Sequence, residues 1–95
     1  MTLTTNQNTI TIEGNIKSQQ DFLSIKNSVE SMNHANSIHF NLVDTMSMTS
    51  SVIGFLTKII LKDNISVTMS VNDGRLYELL SDLNLLQTFK VKYNQ

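Results

Sequence analysis

Cysteine, proline and tryptophan are absent from this 95-residue chain, and glycine occurs only at Gly14, Gly54 and Gly74. Lacking cysteine, the protein has no disulfide, no thiolate metal ligand and no cysteine nucleophile, a composition compatible with a reducing compartment. Lacking proline, and with so little glycine, it shows no linker or internal boundary. Charge of one sign is also missing: seven Lys and Arg face eight Asp and Glu for a net charge of -1. That balance lacks the basic footprint that phosphate backbones and anionic lipid surfaces require. Long apolar runs are wanting too, since Val52 to Leu56 (across Gly54) and Ile59 to Leu61 fall far short of a membrane span. The opening MTLTTNQNTI has none of the basic and apolar character of a signal peptide. What remains is ordinary for a globular chain, 40% hydrophobic and 16% charged. The expectation is one cytoplasmic domain over residues 1–95, with no nucleic-acid partner, no membrane insertion and no cofactor.

Periodicity supplies the order of elements. In TITIEGNI, Ile10 and Ile12 alternate with Thr9, Thr11 and Glu13, the pattern of a half-buried strand ended by Gly14. Thr2 to Asn6 fits an edge strand paired with it through an Asn-Gln-Asn turn. Ser18, followed three residues later by Asp21, marks a helix start, and Phe22, Ile25, Val29 and Met32 form its apolar stripe as far as the Asn33-His34-Ala35-Asn36 stop. SIHFNLV sets Ile38, Phe40 and Leu42 against His39 and Asn41 as a second alternating strand. From Ser51 onward, Val52, Ile53, Leu56, Ile59 and Ile60 return to helical spacing, with Lys58 and Lys62 on the outer side and Asp63-Asn64 as the stop. ISVTMSV is another alternating strand, Asp73 caps a helix bearing Leu76, Leu79, Leu80 and Leu83, and Phe89, Val91 and Tyr93 alternate in a terminal strand. The order β-β-α-β-α-β-α-β predicts an α/β fold: a mixed sheet of four to five strands, right-handed crossovers, and helices packed mainly on one face. Alternation within the strands, in place of solid apolar runs, predicts that the other sheet face is less completely covered.

Chemistry-bearing patterns are few. His34 and His39 have no neighbour at metal-ligand spacing, so both read as surface or packing residues. No G-x-S-x-G accompanies the many serines, and Asn72-Asp73-Gly74 is a turn with a helix cap rather than a phosphate-binding loop. The stretch DTMSMTSSVIGFLTKIIL stands out instead, with Thr45, Ser47, Thr49, Ser50 and Ser51 clustered before the helix that begins near Val52. Helix capping accounts for hydroxyls at such a place. Met46 and Met48, beside Ser50, offer a pliable contact patch in addition to core packing, and Lys58 and Lys62 read as a solvated face or as contacts for an acidic partner.

The segment NLVDTMSMTSSVIG, Asn41 to Gly54, resembles the D-L-S-x-V-x-F-x-D-S-S-G-L-G pattern between a strand and a helix in STAS domains, the family named for sulfate transporters and anti-sigma factor antagonists. Ser50 and Ser51 match the paired serines and Gly54 the second glycine, and the order of elements along the chain is similar as well. Asn41, Thr49 and Val52 stand where the pattern has aspartate, aspartate and the first glycine. The resemblance implies a non-enzymatic, anti-sigma factor antagonist-like module. Its Ser50 would be phosphorylated by a partner serine kinase of the anti-sigma type and restored by a serine phosphatase. It further implies that partners are met around Asn41, Asp44, Met46, Met48, Thr49, Ser51, Val52 and Lys58. The alternative it allows is a phosphorylation-independent accessory or scaffold subunit of a transporter or signalling complex.

Overall fold

The computed structural model describes residues 1–32 and 35–94; Asn33 and His34 of the expected Asn33-His34-Ala35-Asn36 stop lie outside them. Along the chain the elements are β1 (Thr2–Asn6), β2 (Thr9–Glu13), α1 (Gln19–Glu30), β3 (Ser37–Val43), α2 (Ser50–Leu61), β4 (Ser66–Val71), α3 (Gly74–Asp82) and β5 (Val91–Tyr93). The fold is α/β, with one five-stranded mixed sheet whose strands lie side by side in sequence order. β1 runs antiparallel to β2 through a two-residue turn in which Gln7 adopts φ 55°. From β2 to β5 every pairing is parallel.

Three successive crossovers step the same way across the sheet, and the right-handed rule for such units carries their helices to one side. Burial agrees with that geometry. The inward positions Ile10, Ile12, Ile38, Phe40, Leu42, Val67, Met69 and Val71 join Ile25 and Val29 of α1, Val52 and Leu56 of α2, and Leu76 and Leu80 of α3 in one core. Phe22 and Phe55 meet edge to face at 6.0 Å between ring centroids, linking α1 to α2. Tyr77 and Tyr93 stack at 5.1 Å and tie α3 to the short last strand.

The alternate residues make a polar second face. One row across the sheet reads Thr4, Thr11, Asn41, Ser70 and Lys92. Beside it His39 is held through both ring nitrogens, Nδ1 at 2.7 Å from Thr68 Oγ1 and Nε2 at 3.1 Å from Ser70 Oγ. Hydroxyl partners within the sheet thus give His39 a structural role.

Three expected element ends shift. Met32 falls beyond α1, which stops at Glu30; the residue is half-buried in the following turn, its amide donating to the Val29 carbonyl at 3.0 Å. Leu83 lies past the end of α3 and is exposed. Phe89 does not open the last strand but sits fully buried in the turn before it, where its amide donates to the Leu85 carbonyl at 3.0 Å and Lys90 takes φ 48°. A ring that large gains more from the core than from a strand edge, and the turn delivers it there.

Asp73 caps α3 as its position implied, Oδ1 accepting from the Arg75 amide at 2.8 Å and Oδ2 from Arg75 Nη2 at 2.7 Å. The guanidinium hydrogen bond, aided by the Arg75 amide, holds the Asp73 carboxyl at about 2, below its ordinary 3.8. Because the unfolded chain binds this proton more readily, the contribution is complete above the ordinary carboxylate range and is lost as pH falls towards about 2. Urea titrations of wild type and Asp73→Asn should therefore differ near neutrality and converge in acid. A gap that stays constant with pH would exclude this linkage.

Candidate functional site

The parallel strands β2, β3 and β4 end at the same edge of the sheet, and the segments leaving them are tied together. The loop after β3, residues 44–49, is the centre of the arrangement. Asp44, at φ 55°, donates its amide to Asn72 Oδ1 beyond β4 at 2.8 Å. Thr45 turns inward, 1% exposed, and its hydroxyl donates to the Gly14 carbonyl beyond β2 at 2.8 Å. The Met46 amide donates to Asn15 Oδ1 at 2.9 Å. In the other direction the Gly14 amide reaches the Val43 carbonyl at 2.9 Å, from a φ of 89° that suits only glycine well. Clamped on both sides, the loop leads into α2 at a fixed angle.

The five hydroxyls therefore divide by task. Thr45 is a buried anchor. Thr49 is the helix cap, its Oγ1 accepting from the Val52 amide at 3.3 Å while its carbonyl takes the Ile53 amide at 3.1 Å. Ser47, Ser50 and Ser51 are exposed. Ser50 is the first residue of α2, and no acidic residue occupies that turn. The first-turn amides of a helix have no carbonyl within the helix to bond, and with the helix dipole they favour an anion.

Other expected contact residues separate. Val52 and Met48 point into the core, 2% and 8% exposed, and serve packing there, whereas Met46 stays at the surface beside Ser50. Asn41 lies on the polar sheet face, on the side away from the helices, so the sheet divides it from Ser50. Lys58 is exposed on α2 two turns beyond Ser50, about 12 Å along the axis. Of the expected contact residues on the loop and the start of α2, Asp44, Met46, Ser50 and Ser51 are exposed and Thr49 is half-buried. Gly14, Asn15 and Asn72, which hold the loop, were not anticipated as part of the site; the only sequence signal was a glycine or an amide directly after each strand.

At the opposite end of the helix layer, α1 and α2 leave a groove of about 680 Å³ lined by Val29, Met32, Phe55, Lys58, Ile59 and Ile65, with Glu30 and Asp63 at its rim. Among the described residues, no three His, Asp or Glu side chains gather as metal ligands, and no helix is long and apolar enough to cross a membrane. Comparison with known proteins finds no family model, no curated protein and no solved structure that matches this chain.

The division of labour among the hydroxyls can be measured. Thr45→Val should lower stability by about 1–3 kcal/mol, since it strands the Gly14 carbonyl, and Thr49→Ala by about 1 kcal/mol for the lost cap. Ser50→Ala should stay within about 0.5 kcal/mol of wild type. A Ser50→Ala loss as large as that of Thr49→Ala, in urea denaturation, would move the cap to Ser50.

Proposed function

We propose that this protein is a non-enzymatic regulatory module of the STAS type, similar to an anti-sigma factor antagonist and acting in the cytoplasm. In this reading the Ser50 loop and α2 bind a serine kinase of the anti-sigma type, phosphorylation of Ser50 breaks the complex, and a serine phosphatase resets it. One observation carries the proposal: Ser50 stands exposed at the first turn of α2 while Thr49, its neighbour, does the capping. The Ser50 hydroxyl is therefore free of structural duty and can be modified without disturbing the fold.

Physical chemistry supports the switch. A phosphate on Ser50 adds about -1.5 to -2 charge at neutral pH. Facing free first-turn amides, it stabilises the isolated domain by about 0.3–1 kcal/mol. Pressed against a partner surface with no cationic pocket, the same group must shed its water. A penalty of about 3 kcal/mol there weakens the complex by roughly a hundredfold. Folding and binding thus respond in opposite directions to one modification.

The architecture supports a surface function as well. Doubly wound sheets take their ligands in the crevice where the strand order reverses. Here the order β1 to β5 never reverses, and the segments leaving β2, β3 and β4 are bonded to one another.

A second reading keeps the fold and drops the modification, making the chain an accessory or scaffold subunit. Val52 favours it. Where the resembling motif has glycine, this β-branched side chain is anchored in the core beside Ser50, and a kinase finds less bare backbone to approach.

Incubation with a cognate anti-sigma-type kinase and ATP, followed by intact mass measurement, separates the two. The expected outcome is one added phosphate on wild type and on Ser51→Ala, and none on Ser50→Ala. Failure of wild type to gain phosphate while forming a stable complex, unaltered by Ser50→Asp, would establish the scaffold role in place of the switch.

A further inference from the structure

Gly54 lies in the middle of α2, exposed, and a methyl group built on it would meet nothing within 4 Å. Packing inside the domain gives no reason for a glycine here. A glycine inside a helix weakens it relative to alanine through the backbone freedom lost on folding, so the position is kept bare at a cost in stability. Glycine on a helix surface also permits another backbone to come closer than any side chain would allow.

The surroundings specify what approaches. Residues three and four apart share a helix face, which places Ser50, Gly54, Lys58 and Leu61 on one strip, with Ser51 and Lys62 along its border. Leu61 is 71% exposed, the most exposed large apolar side chain among the described residues. Lys58 and Lys62 are exposed cations, and no carboxylate lies between Ser50 and Leu61. The positive end of the helix dipole adds to the same sign at Ser50. Glu30 and Asp63 line the groove with Lys58 near the carboxyl ends of α1 and α2, and Asp44 stands in the loop before Ser50, so carboxylates flank the strip at its two ends without interrupting it.

We infer that the outer strip of α2 is the seat for an acidic amphipathic helix of a partner protein. That helix crosses at Gly54, lays an apolar side chain against Leu61 and sets carboxylates near Lys58 and Lys62. A second copy seated through α2 itself fits poorly, because two such strips would oppose lysine to lysine and to a positive helix start. The inference rests on α2 being the partner-facing element, but not on modification of Ser50. It does give the switch its sign: a phosphate one turn from Gly54 would face an acidic partner.

The test uses the unphosphorylated full chain, isotopically labelled, and two synthetic helical peptides alike in every position except that one carries glutamate and the other lysine beside a leucine stripe. The glutamate peptide should shift the amides of Gly54, Lys58 and Leu61, and the lysine peptide should bind at least about tenfold more weakly. Gly54→Gln should bind the glutamate peptide at least about tenfold more weakly while its Tm rises by about 4–8 °C, so that lost binding is not lost folding. Equal response to both peptides, no shift on α2, or Gly54→Gln binding as well as wild type would each overturn the proposal. So would α2 shifts that follow protein concentration alone, which would assign the strip to a second copy. Since no kinase is present and Ser50 stays unmodified, the outcome is independent of whether the phosphorylation reading stands.

Discussion

The constraint on which this structure depends is that four parallel strands are laid down in sequence order, each joined to the next by a helical crossover for which the right-handed rule holds. That rule puts every helix on one face and every strand-to-helix loop at one edge. The core then needs only one apolar residue in two along each strand, as in Ile10 and Ile12 or Val67, Met69 and Val71. The complementary positions are mostly Thr, Ser, Asn and His, and His39 bonds across to Thr68 and Ser70 of the neighbouring strand. A parallel sheet open to solvent is uncommon, and here the open face is tolerable because its side chains supply their own polar partners, His39 with Thr68 and Ser70 among them.

The same constraint makes the site. Loops from β2, β3 and β4 emerge side by side, close enough for Thr45 to reach Gly14, Asp44 to reach Asn72 and Met46 to reach Asn15. These bonds use backbone groups that the loop could not satisfy within itself. They also leave the functional question to side chains that point outward, because the inward ones are committed to holding the turn. Ser50 follows directly on a loop held by hydrogen bonds to the segments after β2 and β4.

Much of the fold was legible because the strands alternate without interruption. Binary alternation at Ile38, Phe40 and Leu42 cannot be mistaken for helical spacing, and Asp73 before Leu76 is a start signal with its own mechanism. The helix ends were less readable. Met32 and Leu83 continue their stripes by spacing alone, yet the backbone has already turned, since apolar residues just past a helix still pack against the core. Phe89 was legible as buried and illegible as a turn residue, because alternation with Val91 and Tyr93 mimics a strand. In the site, a run of five hydroxyls has no internal ranking. The alternation of Ile38, Phe40 and Leu42, carried on, points Asp44 inward and Thr45 outward; the backbone breaks that parity at Asp44, φ 55°, and nothing local could have named Gly14 as the partner of Thr45 or Asn72 as that of Asp44, since those contacts cross about 30 residues of sequence.

Val52 and Gly54 carry the two opposite choices that define α2. At Val52 a β-branched residue, a poor helix former, is accepted because the core repays it with a fully enclosed side chain. At Gly54 a still poorer helix former is accepted where the core offers nothing, on the side that faces away from the sheet. Within one helix, then, the inner face is explained by packing and the outer face is not. A bare outer face that costs stability, flanked by an unburied leucine and two lysines, finds its compensation outside the domain if the partner helix inferred above seats there, and the clamp that fixes where α2 begins then also fixes how that face is offered.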